Sequence, residues 1–294
     1  MAGISREVRR LNKAIERDEL TLVYQPKADM RSGKITGVEA LARWHSPRHG
    51  PIGPSEFIPT AERSGATIQA LTEWTLNAAM RQAREWQQAG HELTIAVNVS
   101  PRSVLDSTLT ETIARLLAAW EIAPRRIQLE LTETAVFGIA DPERVTETLN
   151  ELSQMGLLMA LDDFGTGYSS LSRLRDLPID KVKIDQSFVM HMDERPQDAL
   201  IVRSVIALAK SLGLRVVAEG VEREPVWRRL TELGCDVAQG NYLSAPLPPD
   251  GLIAWVRQWE ELFEEAHRMA SELLERRMGP PDRRAGTPDR RDEP

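Results

Sequence analysis

Five oxygen-bearing side chains end, or nearly end, short apolar segments of the chain: Glu39, Asn98, Glu130, Asp162 and Asp163. If the segments are parallel strands, their carboxyl ends would bring these side chains together. Two carboxylates about 4 Å apart repel by about 4 kcal/mol at an effective dielectric constant of about 20, so four would require protons or cations. Oxygen ligands favour Mg²⁺, Mn²⁺ or Ca²⁺ over Zn²⁺. Two such ions sharing a carboxylate are typical of attack on a phosphodiester.

Each of these residues also has a structural explanation. A single Asp or Glu at a strand end can cap a helix or form a salt bridge. Asn98 can shape a turn, and Lys183 can serve as a buried counter-ion. Taken one at a time, these explanations are the stronger ones. The occurrence of four acids at one predicted edge favours the metal-site hypothesis.

Short apolar segments alternate with amphipathic ones along the chain. The predicted strands cover residues 20–25, 35–41, 93–99, 127–131, 157–162, 181–184, 214–218 and 236–239. The predicted helices cover residues 67–88, 103–120, 142–155, 198–212 and 224–233. Gly90, Gly156, Gly213 and Gly234 follow four of these helices, where a left-handed residue commonly ends a helix. Continuous apolar strands are typical of parallel sheets buried on both faces.

Eight strands with intervening helices predict a (β/α)8 TIM-like barrel, with an open doubly wound sheet as the alternative. Nearly every predicted strand ends near a polar or ionisable residue. In a barrel all eight ends meet at one mouth, whereas in an open sheet most would lie too far apart to cooperate. This distribution favours the barrel.

The flanking segments differ from this pattern. Residues 1–19 are predicted to form a helix packed on a barrel of residues 20–249, and residues 250–278 a long C-terminal helix. The apolar stripe of that last helix is expected to pack on the barrel, although it could instead bind a partner. Residues 279–294 repeat Pro-Asp-Arg-Arg and offer almost no apolar side chain, so they are expected to be disordered.

Composition excludes several classes of protein. The net charge of −7 disfavours binding to duplex nucleic acid, which needs a basic face. The single cysteine, Cys235, excludes an internal disulfide and a cysteine-rich zinc site. We find neither a secretory signal nor an apolar run near the ~18 residues of a membrane span, so no membrane segment is expected. These features favour the cytoplasm.

Several motifs resemble those of the EAL-domain cyclic-di-GMP phosphodiesterases of bacteria, in the same order and with similar spacing. They are Tyr24-Gln25-Pro26-Lys27, Glu39-Ala40-Leu41, Val97-Asn98-Val99-Ser100, Glu130-Leu131-Thr132-Glu133, Asp162-Asp163-Phe164-Gly165, Lys183-Ile184-Asp185, Ala218-Glu219-Gly220-Val221-Glu222 and Gln239-Gly240. The resemblance covers residues 5–249. It implies a barrel whose first strand is antiparallel, and hydrolysis of cyclic di-GMP to linear pGpG. It also implies two Mg²⁺ or Mn²⁺ ions, inhibition by Ca²⁺, a homodimer and a bacterial cytoplasmic location.

The resemblance assigns roles to individual residues. Glu39, Asn98, Glu130 and Asp162 resemble ligands of the first metal ion, and Asp162 and Asp163 would hold the second. Lys183 would contact the attacking water or the region of the second metal ion, and Glu219 resembles the general base or a carboxylate near the metals. Gln25, Leu41, Arg43 and Gln239 resemble substrate contacts, and Gln239 and Glu222 resemble supporting residues behind the ligands.

Residues 163–171 form a loop that, in the family, joins catalysis to dimerisation. The resemblance implies that Glu133 anchors this loop. Gln186, Asn241 and Ala245 depart from the commonest family pattern, but none replaces a metal ligand. An active phosphodiesterase is therefore favoured over two alternatives, a receptor that binds cyclic di-GMP without cleaving it and a scaffold whose nucleotide site controls a partner.

Overall fold

The computed structural model describes residues 2–138, 141–166 and 171–278. The strands within these ranges are β1 (Leu20–Asp29), β2 (Ile35–Ser46), β3 (Gly50–Ile52), β4 (Thr94–Asn98), β5 (Ile127–Thr132), β6 (Leu158–Phe164), β7 (Lys181–Ile184), β8 (Arg215–Ala218) and β9 (Val237–Gln239). The helices are α1 (Ala2–Glu16), α2 (Pro54–Glu62), α3 (Gly65–Gln88), α4 (Pro101–Val104), α5 (Leu109–Trp120), α6 (Glu133–Phe137), α7 (Pro142–Gln154), α8 (Leu171–Asp176), α9 (Gln186–Val189), α10 (Pro196–Ser211), α11 (Glu224–Leu233) and α12 (Pro249–Met278).

Eight of the strands close into a barrel. Strands β2, β4, β5, β6, β7, β8 and β9 lie parallel in that order, and β1 closes the circle antiparallel to both β9 and β2. The short β3 pairs with the far end of β2, outside the barrel. The predicted (β/α)8 barrel with an antiparallel first strand is confirmed, and the open-sheet alternative is wrong. In this register Gln25 lies opposite Glu39, and Lys27 lies opposite Gln239.

The predicted helix over residues 103–120 is wrong in one respect, because the structure divides it into α4 and α5. Asp106 causes the break: its Oδ1 accepts hydrogen bonds from the backbone N and the Oγ1 of Thr108, each 3.0 Å long. An aspartate that bonds the backbone two residues ahead favours a turn over a helix.

The helix ends agree with the sequence pattern. Gly90, Gly156, Gly213 and Gly234 all have positive φ angles, between 73° and 93°. Side chains other than glycine rarely adopt this conformation, which reverses the chain into the next strand. These turns set where the following strands begin, and so which residues reach the mouth, the end of the barrel where the parallel strands finish.

The main apolar core lies between the barrel wall and the surrounding helices. A second cluster joins Leu11 and Ala14 of α1 to Trp44, Phe57 and their neighbours. Of α12, Leu252 and Val256 are buried, and the Trp259 indole donates a 2.8 Å hydrogen bond to the carbonyl of Gly33. The first half of α12 therefore packs on the barrel, whereas Leu262 and Met269 are more than half exposed.

Two sequence predictions fall outside the described ranges. The predicted disordered tail, residues 279–294, lies beyond them, and so do residues 167–170 of the predicted loop over residues 163–171. Among the helices that are described, none is both long and apolar enough to cross a bilayer.

Candidate active site

Lys183 occupies the centre of the barrel mouth. The third residue of β7, it is fully buried. Its Nζ lies 2.6 Å from Glu130, 2.7 Å from Glu219, 3.0 Å from Asp162 and 3.6 Å from Glu39. One ammonium group therefore contacts four carboxylates from four different strands or strand ends, and all four are residues that the sequence analysis selected.

Glu39 is held by amides on both sides. Its Oε1 accepts a 2.7 Å hydrogen bond from Nδ2 of Asn98, and its Oε2 accepts one of 2.7 Å from Nε2 of Gln239. The same Gln239 nitrogen donates 2.9 Å to Oε1 of Gln25. These contacts fix the orientation of the Glu39 carboxylate, and they link it to the antiparallel strand β1.

Glu130 is surrounded by cations and donors. It is buried in the middle of β5, where Lys27 pairs with its Oε1 and Lys183 with its Oε2. Gln128, two residues earlier on the same face of the strand, donates 2.7 Å to Oε1. These interactions offset the cost of burying a carboxylate, which would otherwise be large.

Asp162, Asp163 and Glu219 form the most open part of the cluster. Each offers one carboxylate oxygen, and the three oxygens lie within 4.8 Å of one another. The backbone N of Asp163 donates 2.9 Å to Oδ1 of Asp162, which turns the two side chains toward one region. Asp163 has a φ of 55°, unusual for a residue other than glycine. Strain of this kind is often retained where a side chain must be aimed at a functional site.

The pKa values follow the distribution of cations. Burial alone would raise the pKa of Glu39, but Lys183 and Lys27 together with the two amides lower it to about 2. Burial, together with the charges of Asp162 and Glu39, raises the pKa of Glu219 to about 8, because Lys183 opposes these effects only in part. Burial disfavours the charged form of Lys183, but the four carboxylates hold its pKa well above the usual value.

Asp163 lies farther from this ammonium and behaves differently. Burial, then the charges of Asp162 and Asp185, raise its pKa to about 6. The mouth therefore carries more negative charge than the lysines neutralise, and a further cation would be stabilised there.

The donor set fits divalent metal ions. Carboxylate and amide oxygens are the ligands that Mg²⁺ and Mn²⁺ prefer. The buried Oε1 of Gln239 has no hydrogen-bond partner among the described residues and lies beside the Glu39 side chain. This unpaired oxygen, the close Asp162–Asp163–Glu219 group and the raised pKa of Asp163 all indicate room for added positive charge.

Leu41, Arg43 and Glu222 lie apart from this hydrogen-bonded cluster, whereas Gln25 is joined to it through Gln239. Leu41 and Arg43 follow Glu39 on β2 and are half-buried, and Nη1 of Arg43 donates 2.9 Å to the carbonyl of Ala42. Nε2 of Gln25 donates 3.3 Å to the carbonyl of Ser244, which ties β1 to the segment after β9. Glu222 is exposed and accepts a 3.4 Å hydrogen bond from Asn241. Within the described part of the chain, neither Arg43 nor Glu222 forms a hydrogen bond or ion pair with the carboxylates of the mouth.

Glu133 contacts the start of the predicted loop. It is buried at the beginning of α6, and its Oε2 accepts a 3.2 Å hydrogen bond from the backbone N of Gly165. Gly165 follows Asp163 by two residues and has a φ of 100°, which favours glycine. The bond therefore links one side chain to the backbone that carries Asp163.

Sequence reasoning missed Lys27 and Gln128 as parts of the site, and it did not select Asp185, whose side chain forms a hydrogen bond with Asp163. Strand periodicity could have indicated Gln128, because it precedes Glu130 by two residues and faces the same side. Lys27 could not be found this way, since it reaches Glu130 across the barrel from the antiparallel strand.

Comparison with known proteins agrees with this geometry. The family model of the EAL domain matches residues 8–246. Over 247 residues the chain is 42% identical to the bifunctional diguanylate cyclase/cyclic di-GMP phosphodiesterase MucR of Pseudomonas aeruginosa, covering 84% of this chain and 36% of that protein. Over 249 residues it is 40% identical to the cyclic di-GMP phosphodiesterase PA2567 of the same species, covering 84% of this chain and 42% of that protein. The chain thus spans about two fifths of these relatives.

Among solved structures, the PaMucR phosphodiesterase in complex with c-di-GMP superposes with a TM-score of 0.79 at 40% identity. The match covers 84% of this chain and 99% of the solved one.

Proposed function

This chain belongs to the EAL domain family, and we propose that it is a metal-dependent phosphodiesterase that hydrolyses cyclic di-GMP to linear pGpG. The observation that carries the proposal is the convergence of Glu39, Glu130, Asp162 and Glu219 on Lys183 at the barrel mouth. The substrate is supported by the names of MucR and PA2567 and by the c-di-GMP complex of the PaMucR phosphodiesterase.

Metal ions would be held by the oxygen donors of the mouth. Glu39, Asn98, Glu130 and Asp162 would hold one ion, and Asp162 with Asp163 would hold a second. When bound, Mg²⁺ or Mn²⁺ supplies Lewis acidity, which lowers the pKa of water and stabilises charge on phosphate oxygens. Ca²⁺ prefers more ligands at longer distances, so it would bind without supporting the reaction.

The chain's own residues position the reactants. Lys183 keeps the carboxylates together, because its charge opposes their mutual repulsion. Glu219 accepts a proton of the attacking water, and the water oxygen forms a bond to phosphorus as the P–O3′ bond breaks. The departing O3′ then takes up that proton. The products of that step are a 5′-phosphate and a 3′-hydroxyl, which together define linear pGpG. Gln239 supports this arrangement by holding Oε2 of Glu39, and Glu222 would support it less directly, through Asn241.

Substrate contacts come from the β1 and β2 side of the mouth. Gln25 and Leu41 would contact the nucleotide, and Gln239 would contact it while supporting Glu39. Arg43 would exchange its bond to the Ala42 carbonyl for a phosphate, because a guanidinium can offer two parallel hydrogen bonds to an oxyanion. We also assign the catalytic unit to residues 20–249, in a homodimer of the bacterial cytoplasm.

The proposal is tested by incubating the purified protein with cyclic di-GMP and either Mg²⁺ or Mn²⁺, then separating the nucleotides by chromatography. Glu39→Ala and a sample containing chelator are the controls. We expect pGpG only from the wild type with metal. Saturable nucleotide binding without any product would instead assign the chain to the receptors that bind cyclic di-GMP without cleaving it.

A further inference from the structure

A cavity lies at the opposite end of the barrel from the carboxylates of the mouth. Its volume is about 440 Å³, and its walls come from the first residues of the parallel strands together with the far end of β1. Cavities of this size accommodate small ligands. The corresponding end of an (β/α)8 barrel is normally filled with branched apolar side chains.

Three cations line this cavity: Lys27, Lys181 and Arg215. Asp180 is the one acidic residue among the described lining residues, and its Oδ2 accepts a 2.7 Å hydrogen bond from the backbone N of Met159. The lining is therefore cationic, although the whole chain carries a net charge of −7.

The partners of the three cations are unequal. Lys27 pairs with Glu130, and Arg215 lies 3.2 Å from Asp29. Lys181 donates 2.6 Å to the neutral Oε1 of Gln128, and within the described ranges no carboxylate lies within 4.0 Å of its Nζ. Lys181 is half-buried, and burying an ammonium without an adjacent opposite charge is costly. Burial, then the charges of Lys27 and Arg215, lower the pKa of Lys181 to about 8, in keeping with this shortage of negative charge.

We propose that this cavity binds a small oxyanion of the phosphate class between Lys181, Lys27 and Arg215. Such an anion accepts hydrogen bonds on several oxygens at once, so it can contact two ammonium groups and a guanidinium together. Gln128 and Glu130 separate this site from the mouth, because Gln128 bonds Lys181 on one side and Glu130 on the other. The oxyanion site thus lies on the other side of this pair from the proposed site of nucleotide cleavage, and Lys27, which also pairs with Glu130, borders both.

The test is a calorimetric titration of the purified full chain with inorganic phosphate in the presence of a chelator. The chelator matters because the acidic mouth then has no divalent cation to attract phosphate. Sodium chloride at matched ionic strength measures the non-specific response. We expect saturable binding of phosphate, at least tenfold weaker in Lys181→Met and unchanged in Lys13→Met, which removes an exposed lysine of α1. A response equal to that of chloride, or equal binding by Lys181→Met, would overturn the proposal.

A measurement on the wild type guards against misfolding of the variant. Acetic anhydride acetylates accessible amines, and mass spectrometry reports the extent at each lysine. We expect phosphate to slow acetylation of Lys181 at least threefold and to leave Lys13 unaffected. Equal acetylation of Lys181 with and without phosphate would contradict the site. Neither experiment involves cyclic di-GMP, so its failure would leave the proposed phosphodiesterase activity untouched.

Discussion

Nζ of Lys183 lies 2.6 Å from Oε2 of Glu130, and both side chains are completely removed from solvent. Lys27 pairs with the other oxygen of the same carboxylate. Glu130 is therefore compensated from both sides, whereas among the described residues Glu219, Asp162 and Glu39 form an ion pair only with Lys183. This inequality makes Lys183 the residue whose loss should disturb the mouth most.

Replacement of this lysine provides the first prediction. Lys183→Met would leave four carboxylates without their shared cation, so we expect the free energy of unfolding in chelator to fall by about 3–5 kcal/mol. We also expect the hydrolysis rate to fall more than a hundredfold. Urea denaturation and the nucleotide assay measure the two effects. Lys13→Met, which replaces an exposed lysine, should change neither the stability nor the hydrolysis rate. Wild-type stability in Lys183→Met would show that the carboxylates do not depend on this cation.

Glu219 predicts a dependence of stability on pH. Its pKa of about 8 in the folded protein lies above the usual 4.5, so the folded chain holds this proton more tightly than the unfolded chain. The tighter binding of this proton stabilises the folded protein fully below pH 4.5, and the stabilisation is lost as the pH rises to about 8. Glu219→Gln is neutral throughout, so its stability relative to the wild type should improve across that interval.

Urea denaturation of both proteins in chelator at pH 5, 6.5 and 8 measures this difference. Glu39, whose pKa is lowered to about 2, is present in both proteins and titrates below this range. A difference between the two proteins that stays constant from pH 5 to pH 8 would contradict the raised pKa of Glu219.

Gln239 predicts an effect on metal affinity without loss of a proposed ligand. Its Nε2 holds Oε2 of Glu39, so Gln239→Leu would leave that oxygen without its amide donor, while Asn98 still holds Oε1. Outer contacts of this kind typically contribute 10–100-fold to metal affinity. Calorimetric titration with Mn²⁺ should show a loss of that size. Gln25→Leu is the matched control, because it removes the other acceptor of Gln239 but leaves the bond to Glu39. Equal affinity in Gln239→Leu and the wild type would exclude this positioning role.

The contact between Glu133 and Gly165 predicts a change in the Mg²⁺ dependence of hydrolysis. Glu133→Ala would remove the acceptor of the Gly165 N–H and loosen the backbone after Asp163. We expect the Mg²⁺ concentration for half-maximal hydrolysis to rise about tenfold, with smaller loss of rate at saturating Mg²⁺. Glu133→Gln retains an acceptor oxygen, so its Mg²⁺ concentration for half-maximal hydrolysis should lie between those of the wild type and Glu133→Ala. An unchanged metal dependence in Glu133→Ala would show that this bond does not support the metal site.

Much of the fold could be predicted from the sequence, because continuous apolar strands and glycine-ended helices are local patterns. The antiparallel direction of β1, which closes the barrel, could not be predicted this way, because the apolar pattern of a strand does not show its direction. Only the family resemblance implied it. The break at Asp106 was missed because the apolar spacing of residues 103–120 continues through it, while one side-chain hydrogen bond decides the turn.

The acids of the site could be predicted because each lies at or near the end of a short apolar segment, and the ends of such parallel segments meet at one mouth. Their shared dependence on Lys183 could not, since it arises from distances across the barrel. Lys27 and Lys181 were missed for the same reason: their partners lie on other strands. Contacts between distant segments depend on register, which the sequence pattern specifies only to within a residue or two.

Cleavage of a phosphodiester bond by water at this carboxylate mouth is tested by mass spectrometry of the nucleotide formed from cyclic di-GMP and Mg²⁺ in water enriched in ¹⁸O. We expect pGpG with a single ¹⁸O in its 5′-terminal phosphate, and no product from Glu39→Ala. Intact cyclic di-GMP after incubation with the wild type, or a product lacking ¹⁸O, would contradict it.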